Sequence, residues 1–96
     1  MVYQSLFPGF LNSFKYRDRM TIIGDILKTL RKTKEGKRKT QIMQSANLNY
    51  IQMNKYLRYL LEHGLLNFTD QGKVTITEEG IRFLQYLEAQ RIKPLM

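Results

Sequence analysis

The chain has 96 residues, 16 of them Lys or Arg against 8 Asp or Glu, for a net charge of +8, and it has no cysteine. That length suits one small domain, and the charge favours a polyanionic partner: nucleic acid first, an acidic membrane surface second. A disulfide framework, a thiolate metal site and a cysteine nucleophile are excluded, and no apolar run approaches the roughly 20 residues that cross a bilayer.

The charge is uneven. Residues 1–60 carry twelve basic and three acidic side chains, or +9, while residues 61–96 carry four and five, or −1. The basic partner surface is therefore expected in the first two-thirds of the chain.

Residues 1–16 hold five of the 11 aromatics, Tyr3, Phe7, Phe10, Phe14 and Tyr16, punctuated by the turn signal Pro8-Gly9. The segment lacks the charged start and small-residue cleavage site of a signal peptide. So many exposed aromatics would aggregate, which predicts an arm packed on its own domain or on a partner subunit.

Asp18 can cap a helix running to about Lys34. Ile22, Ile23, Ile26, Leu27 and Leu30 share one apolar face, with Thr21, Asp25, Lys28 and Lys32 opposite. "RKTKEGKRK", Arg31 to Lys39, follows with six basic residues and one acid, and alone it reads as a solvated loop. A short helix over Thr40–Ser45, with Ile42 and Met43 inward, leads into the turn "ANLN". Asn49 and Gln52 have the spacing of a capping box. They open a helix that runs to His63 and stops at Gly64, a natural residue for the left-handed position.

That helix has two faces. Tyr50, Met53, Leu57, Leu60 and Leu61 fall on one side of the wheel and are expected in the core. Ile51, Gln52, Lys55, Arg58, Tyr59 and Glu62 fall opposite, with Tyr56 on the flank. Two cations, an amide and a phenol on one exposed face can pair phosphates or read base edges in a major groove.

After Gly64 the period changes to two. Leu66 and Phe68 alternate with Asn67 and Thr69, and Val74 and Ile76 with Lys73, Thr75 and Thr77. "DQG" between them marks a hairpin. Thr77 caps a last helix whose first turn holds Glu78 and Glu79, where the helix dipole favours anions, and Pro94 marks its end. Its apolar arc is wide. Ile81 and Leu84 are expected to pack at home, and Phe83, Tyr86 and Leu87 to meet a partner helix.

The order helix, short helix, tight turn, helix, hairpin, helix describes a mainly α winged helix-turn-helix. Residues 1–16 read as an aromatic arm, 17–77 as the winged domain and 78–93 as a C-terminal dimerisation helix. The DNA-facing candidates are Lys37, Arg38, Lys39, Thr40 and Gln41 ahead of and opening the short helix, Asn49, Ile51, Gln52, Lys55, Arg58 and Tyr59 on the longer one, and Lys73 beside the hairpin tip. The dimer candidates are Phe7, Phe10, Phe14, Phe83, Tyr86 and Leu87.

Catalytic patterns are missing. His63 is the only histidine, and with no cysteine a zinc site is not expected. No Ser–His–Asp set or glycine-rich phosphate loop occurs. The sequence therefore predicts no enzyme, no cofactor and no small-molecule substrate.

"KTQIMQSANLNYIQMNKYLRYLLEHGLL", followed by "VTITEEGIRFL", resembles the small winged-helix chromatin proteins of Sulfolobus, the ten-a family. The resemblance covers Met20 to Leu87. It implies a dimeric, weakly sequence-selective DNA-binding protein of a hot-living archaeon, acting in the cytoplasm on the nucleoid. It also implies that the helix from Asn49 and the wing face DNA, and that the last helix pairs between subunits. The expected function is binding of double-stranded DNA, architectural or regulatory, mainly through phosphates. A protein-interaction module for an acidic partner, or RNA binding, is the alternative.

Overall fold

The computed structural model describes residues 18–92. The aromatic arm, with Phe7, Phe10 and Phe14, and the Pro94 stop lie outside the described residues. In chain order the elements are α1 (Arg19–Arg31), α2 (Lys39–Ser45), α3 (Tyr50–Glu62), β1 (Leu66–Phe68), β2 (Val74–Ile76) and α4 (Glu78–Ile92). The two strands pair antiparallel, with Leu66 opposite Ile76 and Phe68 opposite Val74.

Local chemistry sets the boundaries. Asp18 Oδ1 accepts the Thr21 N–H at 2.8 Å and starts α1. The helix ends at Arg31, three residues before the expected Lys34, because Thr33 turns back to the Leu30 carbonyl and its hydroxyl accepts the Glu35 N–H. Two helices end in the same six-residue motif. Asn47 (φ 56°) takes the left-handed position after α2, and the Leu48 N–H reaches the Met43 carbonyl at 2.9 Å. Gly64 (φ 75°) does the same after α3, with the Leu65 N–H on the Leu60 carbonyl at 2.9 Å. The first of these is the tight turn between α2 and α3. It also sends Leu48 into the core.

The core lies between α1, α2, α3 and the base of the hairpin. Ile26, Leu27, Leu30, Ile42, Leu60, Val74 and Leu84 have no exposed surface, and no polar or charged side chain among the described residues is buried. Each such aliphatic side chain stabilises the fold by about 1.5–3 kcal/mol through burial.

Two expectations about the core are corrected, and one strand position is clarified. Tyr50 is 64% exposed, not core. It is the first residue of α3, so it projects past the end of the packed row Met53, Leu57 and Leu60. Phe68 shares a strand face with the buried Leu66 yet is 46% exposed, because β1 is an edge strand: Val74, paired directly with Phe68, is flanked by Lys37 on its other side and has no exposed surface. On α4 the face turned homeward is Gly80, Leu84 and Leu87 rather than Ile81 and Leu84. Gly80 and Leu84 are buried, Leu87 and Phe83 pack partly against the core, and Ile81 lies outside the buried cluster. Gly80 sets this rotation. A methyl there would stand on the Leu65 carbonyl oxygen and 2.7 Å from Ile76 Cγ1, so only a hydrogen lets α4 approach the hairpin. Thr77 completes the junction, its hydroxyl donating to the Gly64 carbonyl at 2.8 Å and accepting the Gly80 N–H at 3.0 Å.

Helix α4 lies along α1. Arg31 donates to both oxygens of Glu88, at 3.0 and 2.9 Å. Thr21, Asp25 and Lys28, expected on the open side of α1, are consequently half-buried.

Candidate nucleic-acid interface

The outward face of α3 is built by period alone. Met53, Leu57 and Leu60 hold the helix to the core, and the residues opposite, Ile51, Gln52, Lys55, Arg58, Tyr59 and Glu62, are all exposed. The capping box fixes the first turn. Asn49 Oδ1 accepts the Gln52 N–H at 2.8 Å, and Gln52 Oε1 accepts the Asn49 N–H at 3.1 Å. Both amides are therefore oriented, each with its NH₂ group left to donate. At the other end the His63 ring Nδ1 lies 2.9 Å from the Tyr59 carbonyl, and the two rings sit 4.2 Å apart. Tyr59 is thus held at the C-terminal end of the exposed face.

Two grooves flank this face. On one side Lys39, Arg58 and Phe68 line a cleft of about 340 Å³, together with Asn54, Leu61 and Glu62. The Lys39 ammonium lies 5.5 Å from the centre of the Phe68 ring, an attraction that positions the cation. On the other side Lys55, Tyr56 and Tyr59 face Arg19, Met20 and Ile23 of α1 across about 300 Å³. Lys55 and Arg58 therefore share one helix face but border different grooves.

The basic run before α2 is not a loose loop. Lys37 pairs with Val74 in both directions, N–H to carbonyl, at 3.0 and 2.8 Å, which adds a third strand position beside β2. Gly36 (φ +93°) makes this possible, since a Cβ would stand 2.6 Å from the Val74 carbonyl oxygen. Lys37 is half-buried, while Arg38, Lys39, Thr40 and Gln41 are exposed at the start of α2. Gln41 Oε1 accepts the Arg38 N–H at 2.9 Å, so this side chain also serves as a cap. Arg31 leaves the cationic run, because Glu88 holds it on α4. Its hydrogen bonds keep the Glu88 carboxyl below the ordinary carboxylate range. Lys73 is half-buried at the base of a tight turn, where its N–H donates to Thr69 Oγ1 at 3.1 Å.

Sequence reasoning missed Arg19, Met20 and Phe68. For Phe68 the available signal was its period-two alternation with Asn67 and Thr69 beside the turn. Arg19 and Met20 come to α3 only through the packing of α1.

No group of three or more metal-ligating side chains occurs among the described residues. None of their helices is long and apolar enough to cross a membrane.

Residues 16–93 match the family model for the winged helix-turn-helix. The chain is 42% identical over 72 residues to the uncharacterized protein MJ0290 of Methanocaldococcus jannaschii, spanning 75% of this chain and about a third (33%) of that relative's length. Its fold is similar to the crystal structure of Sso10a-2, a DNA-binding protein from Sulfolobus solfataricus. That match has a TM-score of 0.62 and 32% identity, over 76% of this chain and 77% of that one. The chain belongs to the winged helix-turn-helix family, among the small archaeal winged-helix proteins that Sso10a-2 represents.

Proposed function

We propose that this protein binds double-stranded DNA by laying the exposed face of α3 in the major groove. The observation that carries the reading is the placement of Lys39 and Arg58 in one groove beside that face, with Lys55 and Arg19 bordering the other. Cations from three helices thus surround a helix wide enough only for a major groove. Sso10a-2, with the same fold, is a DNA-binding protein. Arg38, Lys39, Thr40 and Gln41 take the phosphates next to the groove, with Lys37 and Lys73 behind them at the wing. Lys55 and Arg58 enter from α3 with Asn49, Ile51, Gln52 and Tyr59. Most of these contacts read charge rather than sequence, which suits an architectural protein of the nucleoid or a regulator of modest selectivity.

The working unit in this reading is a homodimer. A groove of about 420 Å³ between α1 and α4 is lined by Met20, Gly24, Phe83, Tyr86 and Leu87. Tyr86 is 58% exposed and stacks on Phe83 with ring centres 6.4 Å apart. These two rings, with Leu87 at the edge, are the surface offered to a second copy.

Fluorescence anisotropy with a random duplex, a single-stranded RNA and an acidic polypeptide as competitors separates the classes. The duplex is expected to bind tightest and to displace the others. Tighter binding of the acidic polypeptide or of the RNA would transfer the basic face to that partner.

A further inference from the structure

We infer that Ile51 contacts the 5-methyl group of thymine, and that this contact gives the protein a preference for thymine-containing duplex. The inference rests on the DNA-binding reading above. Ile51 is 77% exposed, more than any other large apolar side chain among the described residues. It contributes nothing to the core, which α3 serves through Met53, Leu57 and Leu60. As a β-branched residue it is also a poorer helix former than most. Whatever this side chain does, it does outward.

Its surroundings identify the partner. Lys55 and Arg58 stand four and seven residues on, so the three side chains form one strip along the helix. An apolar side chain in a cationic strip complements a surface that is anionic at its edges and apolar at a point inside. A major groove carrying thymine methyl groups is such a surface. The opening of the helix narrows the choice further. Asn49 Oδ1 and Gln52 Oε1 are each held on a backbone N–H of the cap. Adenine recognition by an amide needs an acceptor and a donor together, and here the acceptors face the cap. What this turn presents is amide N–H donors and apolar carbon from Ile51 and the 64% exposed Tyr50. Thymine has an acceptor oxygen and a methyl group. Guanine has acceptors only, and cytosine presents a donor.

The test uses two duplexes of one sequence, with thymine in the first and uracil at every thymine position in the second. Affinities for wild type, Ile51→Val and Ile51→Ala are measured by anisotropy at one salt concentration. A buried methyl group corresponds to about a fourfold change in affinity. Wild type is therefore expected to bind the thymine duplex about fourfold more tightly for each methyl contacted. Ile51→Val keeps most of that ratio, and Ile51→Ala binds both duplexes alike, with its thermal melt unchanged. Equal wild-type affinities for the two duplexes would overturn the inference while leaving DNA binding intact. So would a thymine preference that survives in Ile51→Ala. If wild type binds neither duplex, the DNA reading falls and this inference with it.

Discussion

Removing one cation from the proposed phosphate surface has a calculable signature. Lys39 is exposed at the start of α2, placed over Phe68 and beside Arg58. With about five phosphates neutralised per subunit, the log–log dependence of affinity on salt has a slope near −4.5 for each subunit that engages the duplex, at roughly −0.9 per contact, and the figures that follow are per subunit. Affinity then falls about 500-fold between 50 and 200 mM salt. Lys39→Ala deletes one contact, so the slope becomes about −3.6 and the fall about 150-fold. The loss should be alike on all sequences, because a phosphate carries no base identity. Lys28→Ala is the control, since Lys28 lines the α1–α4 groove away from α3. Anisotropy titrations on one random duplex at four or five salt concentrations give both slopes, and thermal melts check the fold. A Lys39→Ala slope equal to wild type refutes the assignment of Lys39 to a phosphate. A shallow wild-type slope refutes the phosphate-dominated mode itself.

Four further outcomes are expected. Gly80→Ala should destabilise the fold by about 1–3 kcal/mol, the usual range for overpacking, because its methyl meets the Leu65 carbonyl oxygen. Gly24→Ala should instead be neutral or stabilising by up to about 1 kcal/mol, since its methyl would sit 3.9 Å from Leu87 Cδ1 in ordinary contact; chemical denaturation distinguishes the two glycines. Glu88, its carboxyl held below the ordinary range by Arg31, contributes stability above the normal carboxylate pKa that is lost as pH falls through the lowered value. Glu88→Gln should therefore flatten that acid limb in melts taken across pH. Phe83→Glu should shift a dimer towards monomer in sedimentation at tens of micromolar, and a variant that stays dimeric removes the α1–α4 seam.

The interior of α3 was legible in the sequence because its two faces repeat at i, i+4 and i+7, once in Met53, Leu57 and Leu60 and once in Ile51, Lys55 and Arg58. Its ends were legible because Asn49, Gln52 and Gly64 each match a specific unsatisfied backbone group. Tyr50 was misread for a geometrical reason. A helical wheel gives the direction of a side chain around the axis and is blind to its position along the axis, so a residue overhanging the core looks the same as one inside it. The rotation of α4 was hidden because the wheel weighs large apolar residues, whereas the closest approach in this helix is made by Gly80. The cluster of cations before α2 masked the strand position at Lys37. It also masked the pairing of Arg31 with Glu88, 57 residues away in sequence. Such pairings come from tertiary packing, and no local pattern encodes them.

Amide chemical-shift mapping shows directly which face of the protein meets the duplex. A random duplex is titrated into isotope-labelled protein and the shifts are followed residue by residue. The largest changes are expected at Lys39, Ile51, Gln52, Lys55, Arg58 and Tyr59, with Gly24, Leu84 and Tyr86 nearly silent. Shifts concentrated on α4 and the outer side of α1, with α3 unmoved, would contradict the proposed interface.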